Sequence, residues 1–233
     1  MHAVRRSDER GQSRFDWLDS RHSFSFGGYH DSRFMGFGPL RVINEDIVAP
    51  AKGFPTHPHR DMEILTWIMS GRLEHRDSTG GGGIIGPGEI QYMSAGTGIA
   101  HSEFNASTEE PCHLLQIWIM PDKTGVAPAY GQKDFNDGRM DGAFGLVASP
   151  DGAEDSIRMH QDASIRVARL EEGAEHVTPI KEDRLIWLQV ARGSADVLGE
   201  TLEQGDGLAA REIASLPVRA LRNCELMLFD MAP

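Results

Sequence analysis

An all-β fold built from two similar halves is what this sequence predicts, and three observations carry the prediction. Short apolar runs follow one another at regular spacing, separated by turn-forming residues. The chain holds 26 Gly and 12 Pro among 233 residues, a supply of turns that favours short strands over long helices. The third observation is a partial internal repeat. Ile64-Leu-Thr-Trp-Ile-Met-Ser-Gly71 can be laid over Ile186-Trp-Leu-Gln-Val-Ala-Arg-Gly193, and Gly88-Glu89 over Gly205-Asp206, with the intervening hairpin five residues shorter in the second copy. Short strands with Gly/Pro turns point to sandwiches or barrels. The expected division is a first domain over residues 1–120, a connection over 121–142 and a second domain over 143–233.

Along the chain, Trp17 to Phe37 comes first and carries Trp17, Phe24, Phe26, Tyr29, Phe34 and Phe37. Alternation in Ser23-Phe-Ser-Phe26 predicts a short strand with one apolar face, and the whole stretch suits a core or a lid over a barrel end. Leu40 to Val48, Glu63 to Met69 and Arg72 to Asp77 read as strands. The block Gly80 to Gly83 lacks the Lys-Ser/Thr and the helix that a phosphate loop requires, so it is a hairpin tip. Ile90 to Met93 and Ile99 to Phe104 follow as strands, separated by a turn at Ser94 to Gly98. Leu114 to Met120 is nearly all apolar, as in a strand buried on both faces. Pro121 to Gly142 is polar and without periodicity.

Composition removes several classes of function. The net charge is −12, which disfavours phosphate backbones and anionic membranes alike. No run approaches the roughly 20 apolar residues of a membrane helix, and Met1 to Arg14 has no apolar segment of a secretory signal. The only cysteines, Cys112 and Cys224, each adjoin an apolar run and are expected as buried free thiols. The chain is expected to be cytoplasmic, with no nucleic-acid or membrane partner.

The chemistry lies in two pairs, His57-Pro58-His59 and His101-Ser102-Glu103. In a strand, positions i and i+2 share a face. Two such strands side by side, roughly 5 Å apart, would aim three imidazoles and one carboxylate at a single point. That donor set suits one divalent transition metal: Fe, Mn, Co, Ni, Cu or Zn. Four protein ligands on an ion that takes five or six leave positions open for substrate or O₂. A lone histidine is usually a surface residue, and this chain has ten; two tight pairs within apolar, β-rich runs are a different matter. Glu63, four residues after His59 and of the same strand parity, could replace Glu103 as carboxylate ligand or orient an imidazole from behind. The second half has no such pairs: His160 and His176 stand alone.

The stretch from Gly53 to Asn105 resembles the two short motifs of the cupin superfamily: Gly53, His57-Pro-His59, Glu63 and Gly71, then Pro87-Gly88, Gly98, His101 and Asn105. Three residues separate Gly53 from His57 where the usual cupin pattern has five. In that departure the runs Phe54-Pro-Thr-His-Pro-His-Arg-Asp-Met-Glu63 and Met93-Ser-Ala-Gly-Thr-Gly-Ile-Ala-His-Ser-Glu103 resemble the pirin branch, and Trp17-Leu-Asp-Ser20 and His22-Ser-Phe-Ser-Phe26 resemble its bacterial members. The resemblance implies a bicupin, two jelly-roll-like β-barrels packed together, with metal only in the first. It implies His57, His59, His101 and Glu103 as ligands, Glu63 outside the ligand set, and iron(II) as the foremost ion. It implies a quercetin 2,3-dioxygenase type of activity, with a planar aromatic substrate and O₂, Glu103 as general base and Glu63 in reserve. The alternative it implies is a metal-dependent, redox-sensing regulator that binds a protein partner.

Overall fold

The computed structural model describes residues 1–233, and each half folds as a barrel made of one seven-stranded and one four-stranded sheet. In the first barrel the larger sheet runs, edge to edge, Ala129–Asp134, Glu89–Ser94, Glu63–Ser70, Cys112–Ile119, Leu40–Val48, Leu18–His22 and Gly11–Phe15. Its smaller sheet runs Gly53–His59, Ile99–Asn105, Leu73–Asp77 and Gly82–Ile85. The second barrel repeats this plan. Its larger sheet is His2–Arg5, Gly207–Ala210, Leu185–Arg192, Cys224–Met231, Ala163–Leu170, Gly145–Ser149 and Ile157–Arg158. Its smaller sheet is Glu175–Pro179, Ser215–Ala220, Ser194–Val197 and Glu200–Glu203. The two aligned runs of the repeat occupy the same place, third from the edge of each large sheet.

Alternation within these central strands explains why the halves stay together. In Glu63–Ser70, Leu65, Trp67 and Met69 face the opposite large sheet, while Ile64 and Ile68 face the barrel interior. In Leu185–Arg192, Trp187 and Ala191 face the first half, and Ile186, Leu188 and Val190 fill the second barrel. The apolar cluster of 25 buried residues therefore lies between the two large sheets and draws on both halves. At the edge of this core the Trp67 indole N–H donates to Glu225 at 2.8 Å, and the Arg192 guanidinium donates to the Met69 carbonyl.

Three features differ from the sequence reading. His2–Arg5 pairs with Gly207–Ala210, so the first residues of the chain complete the second barrel. Within 121–142, Ala129–Asp134 is an edge strand on Glu89–Ser94 and completes the first barrel, because its backbone groups find partners there despite a polar, aperiodic sequence. Ser23 to Phe26 is not a strand with one apolar face. The strand ends at His22, after which the backbone bends, sending Phe24 into the core between the sheets and Phe26 into the first barrel. Cys112 and Cys224 are buried free thiols, as expected.

Candidate metal centre

The strand Ile99–Asn105 lies between Gly53–His59 and Leu73–Asp77, and the register of the first pair sets His101 opposite His57. A bulge between His101 and Glu103 then shifts the pairing so that Glu103 lies opposite Phe54 and Phe104 opposite Gly53. Approach is closest there: a Cβ on Gly53 would collide with the backbone carbonyl of Glu103, so the strand starts on a glycine. The outcome is a convergence of imidazoles. His57, His59 and His101 each offer a nitrogen within 4.8 Å of the others, and their ring centroids stand 4.5–4.8 Å apart.

Hydrogen bonds set which nitrogen of His57 and of His101 is bare. The His57 Nδ1–H donates to the Pro55 carbonyl at 2.8 Å, a partner that can only accept, and this leaves Nε2 without a proton. His101 is set by a relay. The His75 Nε2–H donates to Asp77 at 3.2 Å, so His75 Nδ1 accepts, taking one bond from the Gln91 amide at 3.0 Å and one from His101 Nδ1–H at 3.3 Å. Burial pushes Asp77 up, but bonds from Thr79, His75 and Gly81 outweigh it and hold the carboxyl below its usual range. His101 Nε2 is therefore bare as well, and it faces His57 Nε2 at 3.0 Å. Two lone pairs aimed at each other repel unless a cation lies between them. Nitrogens on adjacent corners of an octahedron with bonds of about 2.1 Å stand about 3.0 Å apart, so the donors present fit a transition metal.

The electrostatics keep His59 and His101 neutral, the form that ligates. Burial and the neighbouring His57 lower His59 to about 4. Burial, with the charges that His57, His59 and His75 would carry, lowers His101 to about 2. Glu103 is buried; burial pushes it up to about 7, against hydrogen bonds from Gln91, Thr66 and Gln116. Its Oε1 accepts from Gln91 at 3.2 Å, and its Oε2 from Gln116 at 3.1 Å. Glu103 falls in a second group, within 4.8 Å of nitrogens of His101 and His75, rather than in the triangle of His57, His59 and His101.

Glu63 lies elsewhere. Asp61 adopts a left-handed backbone with φ of 47°, which breaks the strand after His59 and starts Glu63 on the other sheet. There Glu63 accepts from the Tyr92 hydroxyl, from Ser94 at 2.6 Å and from the backbone N–H of His160 at 2.9 Å, tying the first barrel to the second half.

A cavity of about 310 Å³ opens on the histidine cluster, at the lower end of the roughly 300–1,000 Å³ common for small-molecule sites. His57, His59 and Glu103 stand in its wall, with Trp118 edge-on to His59 at 4.9 Å and Phe26 edge-on to Trp118 at 5.3 Å. Trp17 and Phe54 lie at another part of the lining. Among the residues of this site that the sequence does not single out are His75, Gln91, Gln116 and Asp46. His75 had a signal, since His75-x-Asp77 repeats the i, i+2 spacing of the ligand pairs. Gln91 and Gln116 interrupt strands that are otherwise apolar, a weaker mark of the same kind.

Paired seven- and four-stranded barrels, one of them holding clustered histidines beside a buried carboxylate, define a bicupin with a single candidate metal centre. The Pirin family model matches residues 3–119, and a model described as the quercetinase C-terminal cupin domain matches residues 146–231. The chain belongs to the pirin family. It is 44% identical over 232 residues to the quercetin 2,3-dioxygenase of Escherichia coli (strain K12), covering 99% of this chain and 98% of the relative. It is 39% identical over 227 residues to the pirin-like protein of Caulobacter vibrioides, covering 97% of each. Among solved structures, YhhW from Escherichia coli superposes with a TM-score of 0.96 at 43% identity, covering 100% of this chain and 98% of that one. The nickel(II) complex of the bacterial pirin YhhW gives a TM-score of 0.95 at 42% identity, with both chains fully covered.

Proposed function

We propose that this chain is a metal-dependent dioxygenase that opens the central ring of flavonols such as quercetin with O₂, releasing a depside and carbon monoxide. The observation that carries the reading is the pair of bare Nε2 atoms of His57 and His101, facing each other beside an aromatic-walled cavity. His57, His59, His101 and Glu103 would hold one divalent metal. The quercetin 2,3-dioxygenase name of the Escherichia coli relative and the nickel(II) complex of YhhW support both activity and site. Iron(II) is our choice of native ion, since histidine–carboxylate sets with open positions suit non-haem oxygenases.

When bound, the metal supplies Lewis acidity that lowers the pKa of the flavonol 3-hydroxyl. The protein's own groups do the rest. Glu103, buried at the edge of the site, would accept the 3-hydroxyl proton. Gln91, Thr66 and Gln116 hold its two oxygens in place. Trp118 and Phe26 orient a planar ring and exclude water from it. The test is metal analysis of protein purified without a histidine tag or nickel resin, joined to O₂ uptake and carbon monoxide release with quercetin. One metal per chain with equal O₂ and carbon monoxide is expected. Full metal without O₂ uptake would leave a ligand-binding or regulatory protein.

A further inference from the structure

Five acidic residues are buried in this chain: Asp46, Glu63, Glu103, Asp206 and Glu225. Four are held by hydrogen bonds or ion pairs. Glu63 and Glu103 have the partners already described, Asp206 takes the Ser7 N–H at 2.7 Å and the Arg6 guanidinium at 3.0 Å, and Glu225 takes Trp67 and Arg169. Asp46 differs: the Ser20 hydroxyl faces its carboxyl, but one oxygen is left over. It is 3% exposed, its Oδ1 has no hydrogen-bond partner, and it stands in the wall of the cavity that holds the histidines. A buried acceptor left unpaired is costly and rare. Its place in a ligand cavity gives a reason to keep it.

The strand register gives its position relative to the metal end. On Cys112–Ile119, the cavity-facing residues are Trp118, Gln116 and Leu114, in that order. Trp118 contacts His59, Gln116 bonds Glu103, and Leu114 lies opposite Asp46. Leu114 lies four positions from Trp118 along the strand, about 13 Å at strand rise. A ligand that packs against His59 and Trp118 must span this length to meet Asp46, as a linked multi-ring aromatic does. Burial pushes Asp46 up to about 7, tempered by the Ser20 hydroxyl, so near neutrality it stands ready both to lose its proton and to accept a bond.

We propose that Asp46 determines specificity: its carboxylate accepts a hydrogen bond from a hydroxyl on the substrate ring farthest from the metal centre. The site thereby selects multi-ring phenols with hydroxyls at both ends over those hydroxylated only at the metal end. This rests on the flavonol reading above.

The experiment compares two ligands on the metal-containing protein under anaerobic conditions, where binding is read by quenching of tryptophan fluorescence without turnover. Quercetin carries hydroxyls on all rings, and 3-hydroxyflavone carries only the one at the metal end. Asp46→Ala should weaken quercetin binding about tenfold or more, the scale of a lost hydrogen bond to a charged group. It should change 3-hydroxyflavone binding less than twofold and leave metal content intact. Asp46→Asn should melt at or above the wild-type temperature, since it removes a buried acid with one oxygen unpaired. Equal loss for both ligands, no loss for quercetin, or a melting temperature several degrees lower in Asp46→Asn would each overturn the proposal. A wild-type protein that binds neither ligand would overturn the flavonol reading together with it, a result distinct from unchanged quercetin binding in the variant.

Discussion

In the first barrel one rung across the large sheet reads Gln91, Thr66, Gln116; in the second barrel the rung at the same strand positions reads Leu208, Leu188, Leu228. Strand order and register match, and three polar side chains stand where three leucines stand in the copy. The leucines belong to an apolar cluster of 18 buried residues that fills the second barrel. The first barrel's interior has smaller apolar clusters of seven and four residues, and the remaining volume is the cavity. Thr66, Gln91 and Gln116 all bond Glu103. One architecture thus serves as a packed support in one half and as a hollow, polar site in the other, with the core between the large sheets common to both.

Removing an imidazole from the triangle is the most severe change. His57→Ala and His101→Ala should each lower metal from one per chain to near zero in untagged protein. Circular dichroism should stay that of the folded barrels, because the second barrel and the shared core use no metal. Tight stoichiometric metal in either variant would exclude that residue as a ligand, and ordered transition metal near His160 or His176 would erase the asymmetry itself.

The two carboxylates should separate next. Glu103→Gln keeps shape but removes charge and basicity, and should lower flavonol turnover by roughly 10²-fold even at saturating metal. Glu63→Gln should keep its metal and instead destabilise the fold by about 1–3 kcal/mol in urea titrations, because Tyr92, Ser94 and the His160 N–H lose a charged acceptor. Metal loss in the Glu63 variant alone would reverse these assignments.

Making the first barrel resemble the second is the sharper test. Gln116→Leu copies Leu228 and takes a donor from Glu103, so metal affinity should fall about 10–100-fold, as when a ligand's supporting group is removed. Leu188→Ala, the opposite move in the second barrel, should cost about 2–5 kcal/mol of stability and leave metal affinity unchanged. If Leu188→Ala altered the metal instead, the second barrel would be part of the site rather than its support.

What could be read from sequence was what depends on local parity. His57, His59 and His101 were visible because i, i+2 spacing fixes a common face whatever the partner strand. The repeat was visible because both copies sit in the same central strand, where both faces must be apolar. What was hidden depends on register between distant segments. His75 acts on His101 only because their strands pair, and the polar rung exists only once three strands are aligned. Glu63 was counted onto the histidine strand because nothing local marks Asp61 as the left-handed residue that ends it. The exchange of edge strands is non-local too, since His2–Arg5 finds its partner at the far end of the chain, at Gly207–Ala210.

The smallest effect tests whether the hollow barrel carries a titrating acid where the packed one carries none. Burial raises Asp46 to about 7 in the folded chain, against 3.8 as its ordinary value. Between those two values the unfolded chain has released the proton and the folded chain still holds it. The folded state then binds more protons, so the contribution of Asp46 to stability is present at low pH and is lost as pH rises toward 7. Asp46→Asn removes that dependence. In metal-free protein, the stability of the variant relative to wild type should therefore rise from pH 5 to pH 7, by at most about 1.4 kcal/mol per pH unit. Differencing against wild type cancels the opposing slope from His59 and His101, whose lowered values make the unfolded chain the better proton binder below 6.5. Urea midpoints at the two pH values measure the difference. A gap that stays constant would mean that Asp46 titrates as an ordinary carboxylate, open to water rather than held in the wall of the cavity.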